Sequence, residues 1–225
     1  MSPKILYIGG VKSGKSRLAE HRAISLAAEM DPDQRPFYLA TTDPADRSME
    51  GRIQRHRQER GDTFITLEEP RDLVKALKTI GQTYDLSEGR GVILIDCLTL
   101  WLSNCLLQVL APDLISDLAP SLVPSLDPSF KPQVESESEP GSDSKFESES
   151  DPIFALENTI KQTIATVLEA PHSLIFVIND VGSGLHADTE LGRRFTDLSG
   201  LLAQQVAAGC NEVYHCIAGI GTRIK

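Results

Sequence analysis

The stretch Gly9-Gly10-Val11-Lys12-Ser13-Gly14-Lys15-Ser16 constrains this chain more than any other. It fits the P-loop pattern of glycine, four residues, glycine, lysine, then serine or threonine. The glycines let the backbone turn tightly, so that successive N–H groups face phosphate oxygens. In that setting Lys15 reaches the β- and γ-phosphates and the Ser16 hydroxyl sits on Mg²⁺. The flanks have the required character. Lys4-Ile5-Leu6-Tyr7-Ile8 is an apolar run of strand length, and the residues from Arg17 to Glu29 are rich in helix formers. Strand, glycine-rich turn and helix together place the positive end of a helix dipole under the phosphates. A glycine-rich β-turn-α connection without a ligand is the plain alternative.

The rest of the chain repeats the alternation. Strands are expected at 37–41, 64–68, 91–96, 173–178 and 212–218. Helices are expected at about 43–60, 71–78, 98–110, 153–169 and 188–208. Gly91-Val92-Ile93-Leu94-Ile95 and Ser173-Leu174-Ile175-Phe176-Val177-Ile178 are apolar throughout, as central parallel strands covered on both faces must be. The fold class expected is an open, mainly parallel α/β sheet with helices on both faces, a P-loop NTPase of the RecA-like type in a single domain over 1–225. Ligands on such sheets bind beyond the carboxyl ends of the strands. The P-loop, Thr41-Thr42, Glu68, Asp96 and Asn179-Asp180 all fall there.

Residues 111–152 depart from this pattern. They hold seven of the chain's 13 prolines and ten serines, and ten acids against two bases give them −8 of the net charge of −10. From Pro132 to Pro152 the segment has too little apolar surface to offset its ordering entropy. It reads as an acidic, Pro/Ser-rich, disordered insertion, whose first half carries leucines able to pack on the body. The remaining −2 offers no basic footprint for nucleic acid. Cys97, Cys105, Cys210 and Cys216 show no CxxC spacing and lie in apolar segments, as reduced, buried thiols do. No apolar run reaches the ~18 residues of a membrane span, and the expected location is cytoplasmic.

Two further positions carry chemistry. Asp96, ending an apolar strand, matches a Walker B acid that holds Mg²⁺; capping the next helix is its ordinary alternative. His56 lies in Arg52-Ile53-Gln54-Arg55-His56-Arg57-Gln58-Glu59-Arg60, with Arg52 and Arg60 one helical turn away on either side. Surrounding cations keep an imidazole unprotonated and bind polyphosphate, which suits attack on phosphorus. A solvated basic helix face with a bystander histidine is the competing reading of the local sequence.

The chain as a whole resembles the bifunctional adenosylcobinamide kinase / adenosylcobinamide-phosphate guanylyltransferase family of cobalamin biosynthesis. The likeness runs from residue 4 to 225 around the 111–152 insertion. It rests on the loop at 9–16, Tyr38-Leu39-Ala40-Thr41, Arg52-Ile53-x-x-His56-Arg57 with Arg60, Thr66-Leu67-Glu68-Glu69-Pro70, the run Leu94 to Asn104, Asn179-Asp180-Val181-Gly182-x-Gly184, Arg193-Arg194-Phe195-x-Asp197-x-x-Gly200, and the closing Ala218-Gly219-Ile220.

The resemblance implies two reactions. A nucleoside triphosphate (ATP or GTP) phosphorylates the aminopropanol hydroxyl of adenosylcobinamide. GTP then gives GMP to a histidine with loss of pyrophosphate, and the phosphorylated product takes the GMP to become adenosylcobinamide-GDP. By the resemblance the nucleophile is His56. GTP contacts fall on Gly9, Gly10, Val11, Lys12, Ser13, Gly14, Lys15, Ser16, Ala40, Thr41, Thr42, Arg57, Gln58, Glu59, Arg60, Glu68 and Asp96. A homotrimer is the assembly it suggests. Two other functions compete: a P-loop nucleotide switch that only presents a partner surface, and a small-molecule kinase without the transferase step. Neither needs a covalent GMP.

Overall fold

The computed structural model describes residues 2–43, 61–84, 86, 91–118, 152–184 and 187–225, with the side chains of 111–118 outside the description. Seven strands form one sheet: β1 (Lys4–Gly9), β2 (Phe37–Ala40), β3 (Ile65–Glu68), β4 (Val92–Asp96), β5 (Ser173–Asn179), β6 (Glu212–Ile217) and β7 (Ile220–Arg223). Their order is β3-β2-β4-β5-β1-β6-β7. Every pair is parallel except β6–β7, an antiparallel hairpin at the end of the chain. Five described helices accompany them: α1 (Lys15–Met30), α2 (Leu73–Thr83), α3 (Leu98–Leu118), α4 (Pro152–Leu168) and α5 (Glu190–Gly209).

Strand alternation distributes the core into two layers. Leu6, Leu39, Ile93, Ile95, Phe176 and Ile178 face the side covered by α2–α5. Ile5, Tyr7, Tyr38, Leu94, Ile175 and Val177 face α1, whose Ala19, Ala23, Leu26 and Ala27 lie against them. Small alanines let α1 sit close to the sheet. β4 and β5 are buried along almost their whole length, as their unbroken apolar sequences require. Helix ends follow local chemistry: Asp72 Oδ1 accepts from the Lys75 N–H at 2.9 Å, and Thr189 Oγ1 from the Gly192 N–H at 3.1 Å.

The fold class agrees with expectation, and the differences are local. α3 continues to Leu118, eight residues into the compositionally distinct segment, because the change in composition at 111 is not a break in backbone conformation. The remainder, 119–151, lies outside the described residues, as does the helix expected over 43–60 from residue 44 onward. β7 is an added strand: Ile-Gly-Thr-Arg is too short and polar to announce itself, and it exists because the Ala218-Gly219 turn returns it beside β6. α2 starts at Leu73 rather than Arg71, one residue after its Asp72 cap. All four cysteines are free. Among the described residues no helix is long and apolar enough to cross a membrane.

Candidate active site

β1 ends at Gly9 and α1 begins at Lys15, so the P-loop bridges the C-terminal end of a central strand and the N-terminus of the helix packed on it. Two of its glycines are sterically required. A Cβ on Gly9 would lie 2.3 Å from the Cys216 carbonyl oxygen and 2.8 Å from Ser13 Oγ. Gly14 has φ +90°, and a Cβ there would lie 2.8 Å from Gly219 Cα. Gly14 caps α1 without a side-chain bond, leaving the helix's first N–H groups to other acceptors. The loop folds on itself through the Ser13 N–H donating to the Gly10 carbonyl at 3.2 Å.

Lys15 is buried to 7% exposure and its Nζ donates to the Gly10 carbonyl at 3.2 Å, curling the ammonium over the loop. Ser13 is equally enclosed, and its Oγ has no hydrogen-bond partner. A buried hydroxyl left unsatisfied costs about 1–3 kcal/mol, and within a loop of this shape an incoming phosphate oxygen would satisfy it. Ser16 is half-buried in the first turn of α1.

The acid arrives from the strand beyond β5. By alternation with Val92 and Leu94, Asp96 belongs to the face that α1 covers. Asp96 is half-buried, and its Oδ2 accepts from the Tyr38 hydroxyl at 2.7 Å. Its neighbour is pinned by Thr41: the Cys97 N–H donates to Thr41 Oγ1 at 2.9 Å, and that hydroxyl donates to the Cys97 carbonyl at 2.7 Å. Thr41 is fully buried and its own N–H donates to the Asp96 carbonyl at 3.3 Å. Asn104, from α3, donates to the carbonyls of Thr41 at 2.8 Å and Pro70 at 3.0 Å, tying the ends of β2 and β3 together. Ala40 and Thr42 are half-buried beside Thr41, and Glu68 stands exposed at the end of β3.

Cys97, although next to Asp96, is no nucleophile. Burial, and then the Asp96 charge, push its thiol up to about 12, so it stays protonated at neutral pH. Asn179 ends β5 between the acid and the P-loop. Its N–H donates to Thr99 Oγ1 at 2.8 Å, and the next N–H, of Asp180, donates to the Gly9 carbonyl at 3.0 Å.

The structure therefore brings the P-loop, Ala40-Thr41-Thr42, Glu68 and Asp96 to one end of the sheet. His56, Arg57, Gln58, Glu59 and Arg60 lie outside the described residues. Two contributors were not assigned roles from the sequence. Tyr38 holds the acid, and its signal was a phenol two residues before the end of a strand. The Ala218-Gly219 turn buttresses the P-loop: both residues have positive φ (50° and 83°), as two-residue hairpin loops favour, and the Gly219 N–H donates to the Ser13 carbonyl at 2.8 Å. Two cavities of about 440 and 670 Å³ lie elsewhere, one beside His172 at the start of β5 and one among α2, α3 and α4; neither touches a P-loop residue.

Comparison with known proteins accords with this arrangement. The family described as "Cobinamide kinase / cobinamide phosphate guanyltransferase" matches residues 5–224. The chain is 29% identical to the bifunctional adenosylcobalamin biosynthesis protein CobU of Escherichia coli, over 98% of this chain and 99% of that one. It is 30% identical to the bifunctional adenosylcobalamin biosynthesis protein CobP of Pseudomonas aeruginosa, over 98% of this chain and 96% of that one. CobU of Salmonella typhimurium is 29% identical over 98% of this chain and 99% of its own. A solved KaiC-like protein from Pyrococcus horikoshii aligns with 95% of this chain and 70% of its own, at 10% identity and a TM-score of 0.40. A match through 220 residues, carried by a chain whose strand ends gather a phosphate loop and an acid, places it: this protein belongs to the cobinamide kinase / cobinamide phosphate guanyltransferase family.

Proposed function

We propose that this chain phosphorylates the aminopropanol hydroxyl of adenosylcobinamide and then transfers GMP to the phosphorylated product through a covalent GMP–His56. The observation that carries the reading is the P-loop geometry, with Lys15 buried and the Ser13 hydroxyl unpaired, in a chain matched by the family from 5 to 224. A switch protein would need the loop but not the full-length match.

GTP sits with its phosphates on residues 9–16. Lys15 neutralises the β- and γ-phosphates as pyrophosphate departs. A His56 ring nitrogen attacks the α-phosphorus; a P–N bond forms and the α,β-bridging P–O bond breaks. A phosphate oxygen of the acceptor then attacks the same phosphorus and the histidine leaves. The P–N bond conserves the energy of the anhydride, so no second activation is needed. Arg57, Gln58, Glu59 and Arg60, with Ala40, Thr41, Thr42 and Glu68, make the remaining GTP contacts. Thr41's hydroxyl is committed to the Cys97 peptide, so its contact would come through backbone.

Ser16 and Asp96 are the residues that would hold Mg²⁺. The donor set fits: two hard oxygens, on α1 and on a strand against which α1 packs, suit a cation that keeps several waters and takes the rest of its shell from phosphates. When bound, the ion supplies charge neutralisation at the polyphosphate. The assembly proposed is a homotrimer. Ile217 and Ile220, 62% and 69% exposed across the β6–β7 hairpin at the open edge of the sheet, support self-association there.

The test is product analysis. Purified protein with adenosylcobinamide, ATP, GTP and Mg²⁺ should yield adenosylcobinamide-GDP by mass spectrometry. Accumulation of the monophosphate alone would leave a kinase, and no conversion with nucleotide bound would leave a switch.

A further inference from the structure

The acid of this site does not position itself. Asp96 ends β4, but the groups that fix it come from β2, which lies beside β4 with Ala40 opposite Asp96. Tyr38 is 5% exposed, and by alternation with Ala40 it faces the α1 side of the sheet, as Asp96 does. Its ring meets Phe64 edge-on, with centroids 5.7 Å apart at 85°, so packing fixes the direction of the phenol. From there the hydroxyl donates to Asp96 Oδ2 at 2.7 Å, a charge-assisted bond to a carboxylate oxygen. Three residues on, the buried Thr41 hydroxyl bonds both the N–H and the carbonyl of Cys97. The side chain of the acid is thus held by Tyr38, and the peptide that follows it by Thr41.

We propose that Tyr38 is a positioning residue for the Mg²⁺–nucleotide complex: by occupying Oδ2 it fixes the carboxylate plane of Asp96 and presents Oδ1 to the cation's water shell. This rests on the reading of Asp96 as the cation-holding acid. It assigns a task to the aromatic residue of Tyr38-Leu39-Ala40-Thr41 that a nucleotide contact would not require, since a hydroxyl donating to a carboxylate is not available to recognise a base or ribose. Hydrogen-bond partners that orient a ligating carboxylate ordinarily change metal affinity about 10–100-fold when removed.

The experiment is calorimetric titration of the full chain with GTP, in EDTA and across a series of Mg²⁺ concentrations. Wild type, Tyr38→Phe, Asp96→Asn and the double variant are compared. Tyr38→Phe keeps the ring against Phe64 and removes only the hydroxyl. The Mg²⁺ concentration giving half of the affinity enhancement should rise about 10-fold in Tyr38→Phe, with GTP binding in EDTA unchanged. In the Asp96→Asn background the same change should add nothing, because the two residues act through one contact. If Asp96→Asn keeps the full Mg²⁺ enhancement, the acid is not the cation's and the inference falls with that reading. If Asp96→Asn loses the enhancement while Tyr38→Phe keeps the wild-type midpoint, the inference alone is wrong. An equal loss of GTP affinity with and without Mg²⁺ in Tyr38→Phe would show general loosening of the site and would also overturn it.

Discussion

The three glycines of the P-loop should respond to alanine in three different ways, and the structure gives the sizes. At Gly9 the new methyl would lie 2.3 Å from the Cys216 carbonyl oxygen and 3.1 Å from Cys216 Cβ. Gly9 is paired with Asn179 of β5 on one side and Cys216 of β6 on the other. The contact is with backbone, so relief requires β1 and β6 to part, and the cost should reach the upper end of overpacking penalties, about 3 kcal/mol. Gly14 adds conformational strain to collision: its φ of +90° costs an L-residue about 1–2 kcal/mol. Contact with Gly219 Cα at 2.8 Å adds about 1–2 kcal/mol more. Gly10 is exposed and a Cβ there meets nothing within 4 Å, so its effect on stability should stay within about 0.5 kcal/mol. Urea unfolding of the nucleotide-free protein measures all three. With a slope of about 2 kcal/mol per molar, the midpoints of Gly9→Ala and Gly14→Ala should fall by about 1–2 M. Gly10→Ala should unfold with wild type, yet bind GTP more weakly because its methyl stands where phosphate approaches. Equal losses at all three positions, or an unchanged midpoint for Gly9→Ala, would refute the steric account of the loop.

Two further outcomes follow from side chains outside the loop. Asn104→Ala removes the donor shared by the carbonyls of Thr41 and Pro70; it should lower stability by about 1–2 kcal/mol, read as a lower melting temperature, and Asn104→Asp should cost at least as much. His172 is 5% exposed, its Nδ1 has no partner, and burial followed by the Lys4 charge holds its pKa below the ordinary histidine value. The unfolded chain then binds a proton that the folded chain refuses, so stability should fall as pH drops below about 6.5. Urea midpoints at pH 7.5 and 5.5 should differ less in His172→Gln than in wild type.

Much of this molecule was legible in its sequence because each signal was local and strong. The apolar runs of β4 and β5 could only be central strands, and the P-loop fixed what precedes and follows it. Asp96 announced itself as the first polar residue after a buried strand. What escaped depended on tertiary contact. Tyr38 looks like any strand aromatic until β2 lies beside β4 and its hydroxyl meets Asp96. Thr41 read as a nucleotide contact, whereas its hydroxyl bonds the Cys97 peptide. β7 has almost no periodic signal in four residues, and its existence depends on the two left-handed residues of the preceding turn. The same turn holds the P-loop through Ser13, a partnership over 200 residues apart in sequence.

The central claim is that this chain carries GMP on His56 between two reactions. Incubation with [α-³²P]GTP and Mg²⁺, followed by a denaturing gel beside His56→Ala, tests it most directly. The account predicts an acid-labile, alkali-stable label on the wild-type chain and none on the variant. Absence of label from wild-type protein that binds GTP, or a label that persists in His56→Ala, would contradict it.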